Sequence, residues 1–162
     1  MEYLEAPREC FGMVHTKSVF LAGGITNCPD WQAEIVEKLD HTDLFLLNPR
    51  RAQFPTDDPN AAEEQIKWEY KYLHKAHSIL FWFPSETLCP IVLYELGYWN
   101  HSFKKCFIGI HPDYKRRRDV EIQTELVKSA YQSNCKPTFF YNLNDLANEV
   151  IEYYKNKPRE YK

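Results

Sequence analysis

The sequence predicts a single-domain α/β protein, flavodoxin-like (Rossmann-like), with a five-stranded parallel sheet and helices on both faces. Three observations predict it. Short apolar runs recur along the chain at Ser18–Ala22, Asp43–Leu47, Ser78–Phe83, Lys105–Ile110 and Pro137–Tyr141. Each run is continuous rather than alternating, as a strand buried on both faces requires. Each is followed by a stretch of helical period, the pattern of βαβ units. With 162 residues, 44% of them hydrophobic, the chain has enough apolar surface for one core and too little length for two comfortable domains.

The elements follow in order. Residues 1–16 have no clear period and read as an N-terminal arm or edge segment. Ser18–Ala22 is a strand stopped by Gly23 and Gly24. Residues 29–40 carry Trp31, Ile35 and Leu39 on one helical face. Asp43–Leu47 is a second strand ending at Asn48-Pro49, and a loop runs from there to Asn60. Ala61–His77 is a helix whose apolar stripe is read as Ile66, Tyr70 and Leu73. Ser78–Phe83 is the central strand, and the helix after it carries Glu95 within an apolar face of Ile91, Val92, Leu96 and Trp99. Lys105–Ile110, a helix over 119–132, the strand Pro137–Tyr141 and a helix over 142–155 complete the unit, with Asn142 or Asn144 as the last cap. The domain is placed at 17–157, with 158–162 a frayed tail. Five strands wound on both sides make a flavodoxin-like order the default.

Composition bounds the function classes. The formal net charge of −3 gives no global argument for nucleic-acid binding. The five cysteines, Cys10, Cys28, Cys89, Cys106 and Cys135, are odd in number and form no CxxC pair, which argues against a disulfide framework and a zinc site. Reduced thiols and an N-terminus without an apolar run point to a cytoplasmic protein. No stretch has the length of a membrane span. Aromatic residues make up 15%, which suits a dense core or a pocket that stacks flat rings.

Several residues are candidates for chemistry, each with a plain alternative. A buried carboxylate is costly unless something uses it, and Glu95 follows the carboxyl end of a parallel strand, where open α/β sheets bind ligands. The alternative is that Glu95 points sideways to pair with a lysine. Gly23-Gly24 permits close approach of a ligand or is simply a tight turn. The turn lacks GxGxxG spacing and a following Walker lysine, so neither a dinucleotide cofactor nor an NTPase is expected. Arg50-Arg51 could receive a phosphate or carboxylate, or be solvated. Of Glu63, Glu64 and Glu69, the last shares a face with Gln65 and could deliver a second carboxylate beside Glu95. The run Tyr114-Lys115-Arg116-Arg117-Arg118 reads as a phosphate clamp, a solvated loop or an oligomer contact, and it is too isolated to make an RNA surface. The histidines form no metal constellation.

The order of motifs resembles the nucleoside 2-deoxyribosyltransferase-like family, in its uncharacterised branch. The resemblance is carried by VFLAGGI (19–25), CPDWQ (28–32), NPRR (48–51), QIKWE (65–69), FWFPSETLCPIVLYELGYW (81–99) and GIHPDYKRRRDVEIQT (109–124). It spans roughly residues 17–142. It implies a flavodoxin-like fold and cleavage of the N-glycosidic bond of a nucleoside or nucleotide. A glutamate attacks C1′, and a base or water then takes the sugar with net retention. The E-x-G nucleophile motif falls on Glu95-Leu96-Gly97, and the acid that serves the base falls on Glu69, where the studied enzymes carry aspartate. The turn that holds the sugar or 5′ group falls on Ala22, Gly23 and Gly24. Within the same motifs the candidate substrate contacts are Asp30, Trp31, Asn48, Arg50, Phe83, Pro84, Ser85, Thr87, Tyr114 and Arg117. No cofactor is implied, and a homo-oligomer is, because the family borrows residues across a subunit interface. The aspartate-rich D-x-G-T segment of the studied enzymes is replaced here by Pro84–Pro90, so sugar selection does not carry over.

A retaining displacement needs an ionised nucleophile and a second acid. The expectation is that the helix N-terminus near Pro90 favours the Glu95 anion, and that Trp31, Trp68, Trp82, Phe83 and Tyr98 offer stacking surfaces. Two further readings stay open: a non-catalytic nucleotide-binding or sequestering module, and a scaffold using the basic loop for a protein partner.

Overall fold

The computed structural model describes residues 1–10, 12, 14, 17–131, 137–155 and 157. Six strands and five helices follow in the order β1 (Glu2–Glu5), β2 (Ser18–Gly23), α1 (Trp31–Leu39), β3 (Phe45–Asn48), α2 (Ala61–Lys75), β4 (Ser78–Phe83), α3 (Pro90–Trp99), β5 (Lys105–Ile110), α4 (Arg117–Tyr131), β6 (Phe139–Phe140) and α5 (Leu143–Tyr154). The strands form one sheet, ordered β1-β3-β2-β4-β5-β6, and every pairing is parallel. Without β1 this is the expected flavodoxin-like order, with its switch point between β2 and β4.

The sheet has one strand more than expected. Glu2–Glu5 pairs with Phe45–Asn48 as an edge strand rather than standing off as an arm. Its sequence, EYLE, has no apolar run because an edge strand has one neighbour and partial burial. The segment then crosses α2: the Cys10 amide donates to the Tyr72 hydroxyl at 2.7 Å and the Trp68 indole donates to the Arg8 carbonyl at 2.7 Å. Cys135 and the tail 158–162 lie outside the described residues.

The period-2 geometry of the strands divides the core into two layers. Along β4, Ile79, Phe81 and Phe83 pack with Trp68, Tyr72, Val92 and Leu96 on the α2/α3 side. Leu80 and Trp82 point to the α1/α5 side, among Trp31, Ile35, Leu146 and Val150. α1 starts where Asp30 accepts from the Ala33 amide at 3.0 Å, and α5 where Asn142, the cap of the two expected, accepts from the Asp145 amide at 2.8 Å.

Two helix faces differ from the expected ones. In α2 the buried residues are Ala61, Trp68, Tyr72 and Leu73, while Ile66 and Tyr70 are exposed. In α3, Val92, Leu96 and Trp99 are buried but Ile91 is 64% exposed. Apolar spacing alone marked the stripe of α2, whereas the sheet engages the face one step around the helix.

Candidate active site

The carboxyl ends of β2 and β4 diverge at the switch point and leave a cavity of about 250 Å³. Its lining comes from five places in the chain: Phe20 and Ala22 to Thr26, Pro49, Glu69 of α2, Thr87 and Cys89 to Val92, and Glu95 of α3. Six of the residues expected at the site therefore meet in one cavity: Ala22, Gly23, Gly24, Thr87, Glu69 and Glu95.

The glycine turn is there because nothing larger fits. A Cβ on Gly23 would lie 2.5 Å from the Trp82 carbonyl oxygen and 2.4 Å from the Trp31 ring. One on Gly24 would come within 2.9 Å of Pro84, Thr87 and Cys89. Both approaches are closer than side chains tolerate. The Trp31 indole N–H donates to the Gly24 carbonyl at 2.8 Å and pins the turn from below. Opposite it, Cys89 takes a left-handed backbone, φ 49° and ψ 54°, immediately before Pro90. That conformation is uncommon for a non-glycine residue and costs about 1 kcal/mol or more. It sets the Cys89 sulfur against Gly24 and starts α3 with Pro90 at its first position.

The two carboxylates have different surroundings. Glu69 Oε1 accepts from Gln65 Nε2 at 2.7 Å. The same amide nitrogen donates to the Pro49 carbonyl at 2.7 Å, and Gln65 Oε1 accepts from Arg51 Nε at 2.7 Å. Arg51 is in turn paired with Glu64 at 2.8 Å. Burial raises the Glu69 pKa, opposed by the Gln65 hydrogen bond and the Arg51 charge. Glu95 has no hydrogen bond or ion pair among the described residues, so the sideways pairing with lysine is not formed. Burial, and then the charge of Glu69, push its pKa up to about 8. The expected help from the helix N-terminus does not reach it. Glu95 lies in the second turn of a helix that begins at Pro90, and the free N–H groups end with the first.

The other expected site residues lie outside the cavity lining. Asp30 caps α1 and lies 3.7 Å from Arg50. Arg50 donates to the carbonyls of Pro29 and Cys28 and to Gln32 Oε1, strapping β3 to the start of α1. Asn48 accepts from the Arg50 amide and donates to the Tyr3 hydroxyl. Tyr114 is buried and donates to the Leu88 carbonyl at 2.7 Å, holding the loop before α3. Arg117 and Arg118 both pair with the buried Glu121, at 3.6 and 2.8 Å. Trp31, Trp68, Trp82 and Phe83 are core residues and Tyr98 is exposed. None of the five lines the cavity, where Phe20 is the one aromatic residue among the described residues. Pro84 packs beside Gly24, and Ser85 lies outside the lining.

Sequence reasoning passed over Thr26, Pro49 and Cys89 in the wall, and Gln65 as the residue that holds Glu69. The signal for Cys89 was its place directly before Pro90. For Gln65 it was the four-residue spacing to Glu69, which puts both on one helix face. Among the described residues no group of three His, Cys, Asp or Glu could hold a metal ion, and no helix is long and apolar enough to cross a membrane.

Among curated proteins, none matches the chain in sequence. A family model described as nucleoside 2-deoxyribosyltransferase like matches residues 16–114, more than half of the chain, from the start of β2 to the end of the α3–β5 unit and Tyr114. This chain belongs to the nucleoside 2-deoxyribosyltransferase like family.

Proposed function

We propose that the protein breaks the N-glycosidic bond of a nucleoside through a glycosyl ester on Glu95, with Glu69 as the acid that serves the departing base. The family name points to glycosyl transfer. The observation that carries the finer reading is the meeting of Glu69 and Glu95 in one cavity beside the glycine turn. Two carboxylates whose environments separate their titrations are the usual equipment for acetal chemistry.

Two carboxyl groups that share a cavity titrate as a unit. Burial raises both, but Gln65 and Arg51 oppose the rise at Glu69, while the charge of Glu69 adds to it at Glu95. The reactive arrangement has the proton on Glu69 and an ionised Glu95. The Glu95 carboxylate attacks C1′, the C1′–N electron pair leaves with the base, and Glu69 protonates that base. A second base, or water, then takes the sugar from Glu95 with net retention. Among the described residues no lysine or arginine lines the cavity, and the arginines expected to clamp a phosphate are engaged with Asp30, Glu64, Asp119 and Glu121. This favours nucleosides over their 5′-phosphates.

The reading includes a homo-oligomer. Ile91 lines the cavity and is also exposed, so the cavity opens onto the outer face of α3 beside Tyr94 and Tyr98. Gly97 lies on the same helix, and a Cβ there would meet nothing within 4 Å. A mid-helix glycine costs about 1 kcal/mol relative to alanine, and no packing within the chain requires it. Close approach of a second copy would.

The test is chromatography of nucleosides and nucleoside monophosphates incubated with the protein, with and without a free acceptor base, beside the Glu95→Ala variant. The expected result is release of free base from a nucleoside, abolished in the variant. Intact substrate in every incubation, with tight nucleotide binding, would support the sequestering module instead.

A further inference from the structure

We infer that the cavity selects N-glycosides whose base carries a fixed positive charge, such as a pyridinium or an N7-alkylated purine; this rests on the glycosidic reading above. Three observations carry it. The cavity wall holds two carboxylates and, among the described residues, no ammonium or guanidinium group. Glu95 accepts no hydrogen bond there, and Glu69 accepts one, from a neutral amide. Arg51 is paired with Glu64 and is hydrogen-bonded to Gln65 rather than to either cavity carboxyl group. A wall with two carboxyl groups and no cation of its own favours a ligand that brings one, and a cationic ring seated beside the two supplies it.

The same charge removes an obstacle to catalysis. The groups facing the pair are few: Cys89 from the loop before α3, whose thiol burial pushes up to about 12 and keeps neutral, and Gln65 with Arg51 from the other side. A fixed cation lowers the proton affinity of both carboxyl groups and favours release of a proton to solvent. The ionised Glu95 then attacks C1′, and the C1′–N electron pair returns to the ring nitrogen. The ring is thereby neutralised and leaves without needing a proton. Water then attacks C1′, its proton passes to the Glu69 carboxylate, and Glu95 leaves as carboxylate to release the free sugar.

The test uses two ligands of the same shape that cannot be cleaved: 1-methylnicotinamide, a pyridinium cation, and 3-methylbenzamide, its neutral isostere. Calorimetric titration of the whole protein at pH 6 and pH 9 is expected to show the cation bound about tenfold more tightly at pH 9. Its affinity should be weaker at pH 6, with proton release at intermediate pH. Glu69→Gln should lose most of the preference, read as the ratio of the two affinities. Equal affinities at pH 9, no binding of the cation, or a preference unchanged in Glu69→Gln would overturn the inference. Glu95-dependent cleavage of neutral nucleosides without cation preference would overturn it and leave the glycosidic reading standing. Cation preference without cleavage of any cationic or neutral nucleoside would support charge selection and overturn the glycosidic reading.

Discussion

At the scale of single residues, Glu95 is a site where function and stability pull in opposite directions. Its carboxyl titrates near 8 in the fold, against an ordinary value of 4.5, because it is buried and faces Glu69. The folded chain therefore holds a proton that the unfolded chain gives up between those two pH values. Stability falls as pH rises through that window, and above about 8 the full penalty is present. Glu95→Gln keeps the shape and removes the titration. Its unfolding free energy should exceed that of the wild type by on the order of 3 kcal/mol at pH 9 and by little at pH 5. Denaturant unfolding at the two pH values measures this, and an equal difference at both would show that Glu95 is not a buried titrating group. A gain in stability on removing a candidate nucleophile is the trade-off expected where a site is built for chemistry.

At the scale of elements, the two ends of the strands have separate tasks. The carboxyl ends form the cavity. The amino ends of β2 and β4 are closed by a buried polar cluster, in which the Tyr154 hydroxyl of α5 lies 2.8 Å from Ser78 Oγ and 2.9 Å from His77 Nδ1. Tyr154→Phe should cost about 1–2 kcal/mol of stability, because the partners remain buried without the hydroxyl. It should leave the kinetics of base release unchanged, and thermal unfolding with a parallel activity assay separates the two effects. Elements of this kind differed in how legible they were. Ser78–Phe83 and Lys105–Ile110 were readable to the residue, because a strand buried on both faces is an unbroken apolar run. β1 was not, because an edge strand carries no such run. The face of α2 was misread because Ile66 and Tyr70 have helical spacing without being buried. Glu95 was legible because a carboxylate within an apolar helix stands out, whereas Glu69 was singled out among three glutamates by its shared face with Gln65 and by the family resemblance. The arginines were not, because the partners of Arg50 lie about twenty residues earlier, at Cys28, Pro29 and Gln32, and no local pattern announces such a strap.

At the scale of the whole molecule, the proposed homo-oligomer would tie assembly to the site through the exposed face of α3. Tyr94 is 76% exposed and Ile91, its neighbour on that face, is part of the cavity wall. A second copy seated there would roof the opening and exclude the water that competes with an acceptor base. Sedimentation of the wild type should show a dimer or larger species. Tyr94→Arg should shift it to monomer and raise the ratio of hydrolysis to transfer severalfold. A wild-type monomer at high protein concentration would remove the second copy from the account. The central claim is the covalent role of Glu95, and its most direct test is mass spectrometry of protein quenched during turnover of a nucleoside. The account predicts an added mass of one glycosyl group, located by digestion on the peptide containing Glu95 and absent from Glu95→Gln. Turnover without any adduct, or an adduct that persists in the Gln variant, would contradict it.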